Sequence, residues 1–407
     1  MKDTTLITSR VGLAFLQGGA GRTGGRRSRQ HVRPSRKHRT QVRARAGHTW
    51  LFCGEAPKEG GTMGSGGGEN ATQQPQCCVF YFVRHAQSTN NALGPESGPD
   101  HPGRSSDPVL TDLGEAQAAA VAAHFRAQED DLAQVPGPRA DGYRVSSVFS
   151  SAMQRALQTA APIAQALGAG VRFEVVGDIY EQGGIFDHVE HAGGAAAPPA
   201  AAAEAAAEAS CSPGHGLSAA QMRERFGPSL EIPKDGEDAA FSASSSGWYV
   251  GEGFERMDAT TARVDRMAAW LWRLAAQRIR AGTRGAVLIV SHGMLLDMLF
   301  KRLLNVPPVR GPPQPSFVLH FNTGVSCVEL QPSHDLVQRS DPASTLAAGA
   351  VSAAPLAPTA AQLLDGPSPP GVVGMRSLNG WAHLPMPLRT GGTPRGLQAC
   401  YDGAGNM

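Results

Sequence analysis

The stretch that most narrows the choice of fold is Cys78 to Asn91, CVFYFVRHAQSTNN. A short β-branched and aromatic run reads as a buried strand. It ends abruptly on Arg84, His85, Gln87, Ser88 and Asn91. In open α/β sheets ligands bind beyond the carboxyl ends of the strands, where the following loops leave a crevice. Arginine offers a rigid fork of donors matched to phosphate oxygens, and a neutral histidine beside it can attack phosphorus as a nucleophile. Phosphate chemistry is therefore the first expectation.

Further along lie Arg155 in VFSSAMQRALQTA, Glu181 in DIYEQGG and His292 in VLIVSHGML. Arg155 falls in a first helical turn after a strand, where free backbone N–H groups already favour an anion. The ordered set of Arg-His, second arginine, acid and late Ser-His-Gly resembles the histidine phosphatase superfamily, also called phosphoglycerate mutase-like. The resemblance runs from about Cys78 to Cys327, with a last piece at Leu378 to Leu384. DPVLTDLGEAQA also resembles a helix start of that family.

The resemblance implies an α/β domain with a mostly parallel central sheet flanked by helices and a cap region inserted after Glu181. It implies His85 as the nucleophile on a phosphomonoester and Arg84, Asn91, Arg155 and His292 as ligands of the phosphoryl oxygens. Glu181 is selected by the same resemblance as the proton donor, over Asp178 and Asp187, for which a structural salt bridge is the plainer role. No metal or organic cofactor is implied, because arginine and histidine cations supply the charge. One departure stands out: Ala86 occupies a position where the family usually has glycine. Alanine is harmful there mainly if the backbone needs a positive φ, so activity is expected to survive.

The rest of the chain reads as one folded domain with extensions, since 49 glycines, 30 prolines and long alanine runs leave much of its 407 residues unsuited to a core. Net charge is only +2, yet the first 50 residues hold 12 Lys/Arg against the single acid Asp3. That segregation suits an organelle transit peptide, chloroplast or mitochondrial; the alternatives are a cytoplasmic protein with a basic arm touching nucleic acid or membrane, or an extra stretch ahead of the true start. Residues 1–75 are thus expected to form a basic, then Gly-rich extension, and residues 76–336 the catalytic domain with its cap insertion at 182–251. A low-complexity insertion follows at 337–374, then a closing strand at 375–386 and a loose tail at 387–407. Residues 317–330 read as a hairpin around Asn322-Thr323-Gly324.

Several function classes recede. No apolar run approaches the ~20 residues of a membrane span. The six cysteines show no paired spacing that suggests zinc or a disulfide scaffold, and Cys78 and Cys327 read as small buried hydrophobes. His188 and His191 in DHVEH form a weak metal signal without a third ligand of fixed spacing. A small-molecule or protein phosphomonoester is the expected substrate. A phosphoglycerate mutase-type transfer, a catalytically idle phospho-ligand or protein-binding module, and nucleic-acid binding through the arginine-rich start remain as rivals. The last would show salt-sensitive affinity.

Overall fold

The structure is a computed structural model that describes residues 77–93, 101–135, 137–188, 211–213, 215–234, 238, 240–244, 246–306, 318–340, 364 and 370–391. The basic extension, the Ala195–Ala209 run, the side chains of DHVEH, most of the 337–374 insertion and residues 392–407 lie outside the described residues, so the readings that fall on them go no further here.

β1 (Cys78–Arg84) is buried at every residue. Its alternation sends Val79, Tyr81 and Val83 to one face of the sheet and Phe80 and Phe82 to the other, so each face carries its own core. α1 (Asp112–Ala133) begins at Thr111, whose Oγ1 accepts from the Gly114 N–H, an N-terminal cap of the expected kind. β2 (Val145–Ser151), α2 (Gln154–Leu167) and β3 (Arg172–Val176) follow. After a backbone hairpin of Phe186–His188 with Cys211–Pro213 come α3 (Ala219–Phe226) and the short β4 (Leu230–Glu231). The second half holds α4 (Met257–Arg280), β5 (Ala286–Ser291), α5 (Gly293–Leu303), β6 (Val325–Pro332) and β7 (Gly371–Gly380).

The sheet order is β4-β3-β2-β5-β1-β6-β7. β4 through β1 are mutually parallel, whereas β6 runs antiparallel to both β1 and β7. The expected α/β class with a mostly parallel sheet is what forms. Val121 and Phe125 of α1 join Ala156, Leu157 and Ile163 of α2 on one face, while Met267, Leu271 and Trp272 of α4 join Leu296 and Phe300 of α5 on the other. Two edge-on aromatic pairs tie β1 to these layers, Tyr81 with Phe125 at 5.3 Å and Phe82 with Phe300 at 5.2 Å. Burying each such ring is worth ~1.5–3 kcal/mol. Cys78 and Cys327 are buried free thiols. Among the described residues no helix is long and apolar enough to cross a membrane.

Four expectations are corrected. No hairpin forms around Asn322-Thr323-Gly324: Thr323 takes a positive φ of 54° and Val325–Pro332 pairs with β1 and β7 instead. The described residues before it bend toward β1, where the His320 carbonyl accepts from Arg84 Nη1 at 2.6 Å. The closing strand starts earlier than expected, at Gly371, and ends at Gly380. The region read as a separate cap contributes β4 to the main sheet, beside β3. Residues 387–391, read as the start of a loose tail, pack on the domain, with Gln117 Nε2 donating to the Leu388 carbonyl at 2.6 Å and to Thr390 Oγ1 at 2.7 Å.

Candidate active site

Because β1, β5 and β2 are parallel neighbours with Arg84 opposite Ser291 and Ser150 opposite Val290, their carboxyl ends close one edge of the sheet. His85 extends β1 by one residue, its N–H donating to the Ser291 carbonyl at 2.8 Å. The imidazole is 2 % exposed and its two nitrogens are distinguished by their partners. Nδ1 lies 2.7 Å from the Ala86 carbonyl, which can only accept, so Nδ1 carries the proton. Nε2 lies 3.3 Å from Arg155 Nε, which can only donate, so Nε2 presents its lone pair. Burial, then the guanidinium groups of Arg155 and Arg84, hold this histidine well below the usual imidazole range. It is neutral at physiological pH.

Ala86 has no positive φ. Its N–H donates to Thr159 Oγ1 at 3.0 Å, and the side chain packs with Leu110 and Ala118. The replacement of glycine is accommodated without backbone strain.

Arg155 sits in the first turn of α2, buried, with Asp107 and Glu181 as its nearest negative charges. From sequence, Asp107 stood only as the first residue of DPVLTDLGEAQA, with no role at the site. Its Oδ1 accepts from the Gln154 N–H at 3.0 Å, which caps α2, and burial pushes its carboxyl up to about 6 against the pull of Arg155. Glu181 is also buried; its Oε1 accepts from the N–H groups of Gln182 at 3.0 Å and Leu295 at 3.1 Å, the latter in the first turn of α5. The competitor Asp178 makes a bidentate pair with Arg266 at 2.8 and 3.1 Å, the structural salt bridge that was its plainer reading. Asp187's side chain lies outside what is described.

Arg84, His85, Ser88, Asn90, Asn91, Pro108, Arg155 and Glu181 line one pocket. Asn91 Oδ1 accepts from the Ser88 N–H and from Asn322 Nδ2, both at 3.3 Å, an orientation that reserves its NH₂ for another acceptor. His292, the sixth expected residue, stands behind this lining. It is fully buried, and its ring centroid is 5.1 Å from that of His85. Its Nε2 lies 2.9 Å from Ser151 Oγ, a hydroxyl that also accepts from the Met153 N–H at 3.3 Å. His292 Nδ1 is buried and has no hydrogen-bond partner among the described residues. Burial, with nearby Arg155 and His85, holds His292 well below the usual range as well. All six residues singled out in the sequence thus meet at one sheet edge, and among the described residues no group of three or more His, Cys, Asp and Glu could hold a metal ion.

The sequence reading missed the residues that hold this cluster in place. Asn322 Nδ2 donates to the His85 carbonyl at 3.1 Å, and its Oδ1 accepts from Thr390 Oγ1 at 3.0 Å. Gln117 Oε1 accepts from the Gln87 N–H at 2.8 Å. Each is a neutral polar residue distant in sequence from what it positions; Asn322 drew notice only within a turn string and Gln117 only within DPVLTDLGEAQA.

The family model for the histidine phosphatase superfamily (branch 1) matches residues 80–237. No curated protein matches the chain. Among solved structures it is similar to mycobacterial hydrolase 2, at 17% identity over 65% of this chain and 87% of that one, with a TM-score of 0.34. A mycobacterial glucosyl-3-phosphoglycerate phosphatase is 19% identical over 62% and 91%, with a TM-score of 0.30. A mutant phosphoserine phosphatase from Entamoeba histolytica in complex with phosphoserine is 16% identical over 63% and 92%, with a TM-score of 0.29. The segment that matches the histidine phosphatase superfamily model carries Arg84, His85, Asn91, Arg155 and Glu181.

Proposed function

We propose that the chain hydrolyses phosphomonoesters through a phosphohistidine on His85. The observation that carries this reading is the tautomer of His85: Nδ1–H is spent on the Ala86 carbonyl and the Nε2 lone pair faces Arg155 in the pocket. In the first step Nε2 attacks phosphorus, the bond from phosphorus to the ester oxygen breaks, and its electron pair leaves with that oxygen. Glu181 gives the oxygen a proton, and general acid catalysis of this kind is typically worth ~10²–10⁴-fold in rate. In the second step Glu181 takes a proton from water, the hydroxide attacks phosphorus, and the P–N bond returns its electron pair to Nε2. Arg84 and Arg155, the NH₂ of Asn91 and the imidazole of His292 hold the phosphoryl oxygens. Their fixed donors stabilise the charge as it moves, with little reorganisation.

The test is release of 4-nitrophenol from 4-nitrophenyl phosphate by the full chain, with and without chelator, beside His85→Ala. The expected result is chelator-insensitive turnover that falls by about 10³-fold or more in the variant. Turnover lost with chelator would overturn the metal-independent mechanism. Phosphate-ligand binding without turnover on any monoester would favour the idle binding module, and phosphoryl transfer to a second hydroxyl in place of water would favour the mutase.

A further inference from the structure

The segment that delivers Glu181 has no strand partner of its own. β3 ends at Val176, and a single 3₁₀ turn, Gly177–Ile179, precedes Tyr180 and Glu181. Buried carbonyls outside a ladder need other donors. Arg263, from the middle of α4, supplies two of them: Nη1 donates to the carbonyls of Asp178 at 2.6 Å and Tyr180 at 2.8 Å. Ser291 Oγ takes the intervening Ile179 carbonyl at 2.9 Å, and the Gly184 N–H takes that of Glu181 at 3.1 Å.

The guanidinium is itself fixed. Its Nε and Nη2 donate to the two carboxylate oxygens of Glu255 at 2.8 and 2.5 Å, with 0 % side-chain exposure for Arg263 and 8 % for Glu255. Its plane lies 3.6 Å over the Tyr180 ring, and the Tyr180 hydroxyl donates to Glu255 Oε1 at 3.0 Å. A lysine has neither the fork nor the plane for these contacts. Arg266, one turn along, grips the Asp178 carboxylate from the same helix.

We propose that Arg263 is a positioning residue for Glu181, clamping the backbone on either side of Ile179 so that the carboxyl meets the leaving-group oxygen. This rests on the reading of Glu181 as the proton donor. Arg263 is not among the residues that line the pocket, and the described hydrogen bonds of its guanidinium go to Glu255 and to the backbone of Asp178 and Tyr180, so its loss should act on protonation of the leaving group and not on capture of phosphate. A displacement of about 1 Å at a catalytic group can cost 10²-fold.

The experiment compares the full-length chain with Glu181→Gln, Arg263→Lys and Arg266→Ala on two esters. One is 2,4-dinitrophenyl phosphate, whose leaving group needs no proton; the other is glycerol phosphate, whose alkoxide does. Inhibition by orthovanadate reports the phosphate pocket separately. In kcat/KM, which reports formation of the phosphohistidine and not the later hydrolysis in which Glu181 serves as base, Glu181→Gln is expected to lose about 10²-fold or more on the alkyl ester and far less on the aryl ester. Arg263→Lys should show the same selectivity, with about a 10- to 100-fold loss on the alkyl ester and unchanged vanadate inhibition. Arg266→Ala removes a half-exposed anchor of the same segment and should give a smaller loss of the same kind, and it decides the matter where Arg263→Lys fails to fold. Selective loss in Glu181→Gln with equal losses on both esters, or with parallel weakening of vanadate, in the arginine variants would overturn the positioning role and leave the proton donor standing. An unselective Glu181→Gln would overturn the proton donor and the proposal with it.

Discussion

Replacing Ala86 by glycine, the residue usual at that position in the superfamily whose model matches residues 80–237, should make this protein less stable and no faster. The methyl group is fully buried and packs on Leu110 and Ala118. Removing one buried methyl costs ~0.8 kcal/mol of transfer free energy, with a cavity contribution where the neighbours do not close in. Glycine also has more backbone freedom to lose, ~0.4–1 kcal/mol. No gain offsets these costs, because Ala86 does not occupy the positive-φ region where glycine is favoured. The expected destabilisation is about 1–2 kcal/mol, a fall in Tm of roughly 2–8 °C for a domain of this size. Thermal unfolding followed by circular dichroism measures it, together with kcat on 4-nitrophenyl phosphate, which should stay within about twofold because the Ala86 carbonyl that fixes His85 Nδ1 remains. A variant that is both more stable and several-fold faster would refute the reasoning, since it would mean that alanine holds the loop in strain.

Two further outcomes follow from the same geometry. Thr390→Val leaves the buried Asn322 Oδ1 without its donor and should cost ~1–3 kcal/mol; because Asn322 also holds the His85 carbonyl, kcat should fall with KM little changed, and equal values for both proteins would show that residues 386–391 do not steady the nucleophile. Acidification should destabilise the chain: His85 and His292 are held well below 6.5, His320 at about 3 and His383 at about 4, all chiefly by burial, so the unfolded chain takes up protons below about 6.5 that the folded one refuses. Asp107 and Asp238, pushed up to about 6 by burial, act in the opposite sense by binding protons in the folded state, which leaves a net of about two protons and a loss of ~3 kcal/mol from pH 6 to 5. Urea unfolding at the two pH values measures it, and equal or greater stability at pH 5 would refute the assignment.

What was legible in the sequence divides along a physical line. Strand runs such as CVFYFV and AVLIV, and the capped start of α1 at Thr111, are decided by burial and local chemistry, so they could be read directly. Arg84, His85, Asn91 and His292 were legible because they follow strands, and parallel strands bring such positions to one sheet edge whatever the intervening chain does, whereas Arg155 and Glu181 were selected by the resemblance to a known family. The 317–330 segment misled because its turn residues are real while the pairing is not local: Val325–Pro332 finds its partners in Cys78–Arg84 and Gly371–Gly380. Turn chemistry alone does not say which strand comes next in space.

Arg263 marks the other side of that line, and its trace was present. It sits within the same apolar stripe as Val264, Met267, Leu271 and Leu274 of α4, all of them buried. A charge in a core stripe needs both a counter-ion and acceptors for its remaining N–H groups, and α4 brings one from just before its own start, Glu255. That requirement was readable from spacing. Its destination was not, because the carbonyls of Asp178 and Tyr180 are 85 and 83 residues away and carry no side-chain signature. The chemistry-bearing residues are therefore visible as types at strand ends, while the apparatus that aims them runs through backbone carbonyls and neutral amides such as Asn322 and Gln117. The nucleophile shows the same division: His85 announces itself, but its reactive nitrogen is chosen by a carbonyl of the next residue, and any side chain at position 86 would supply that carbonyl equally well provided the backbone held its course. The buried methyl of Ala86 helps to hold it, and that makes the exchange of one small residue for another at this position a test of the catalytic geometry as well as of packing.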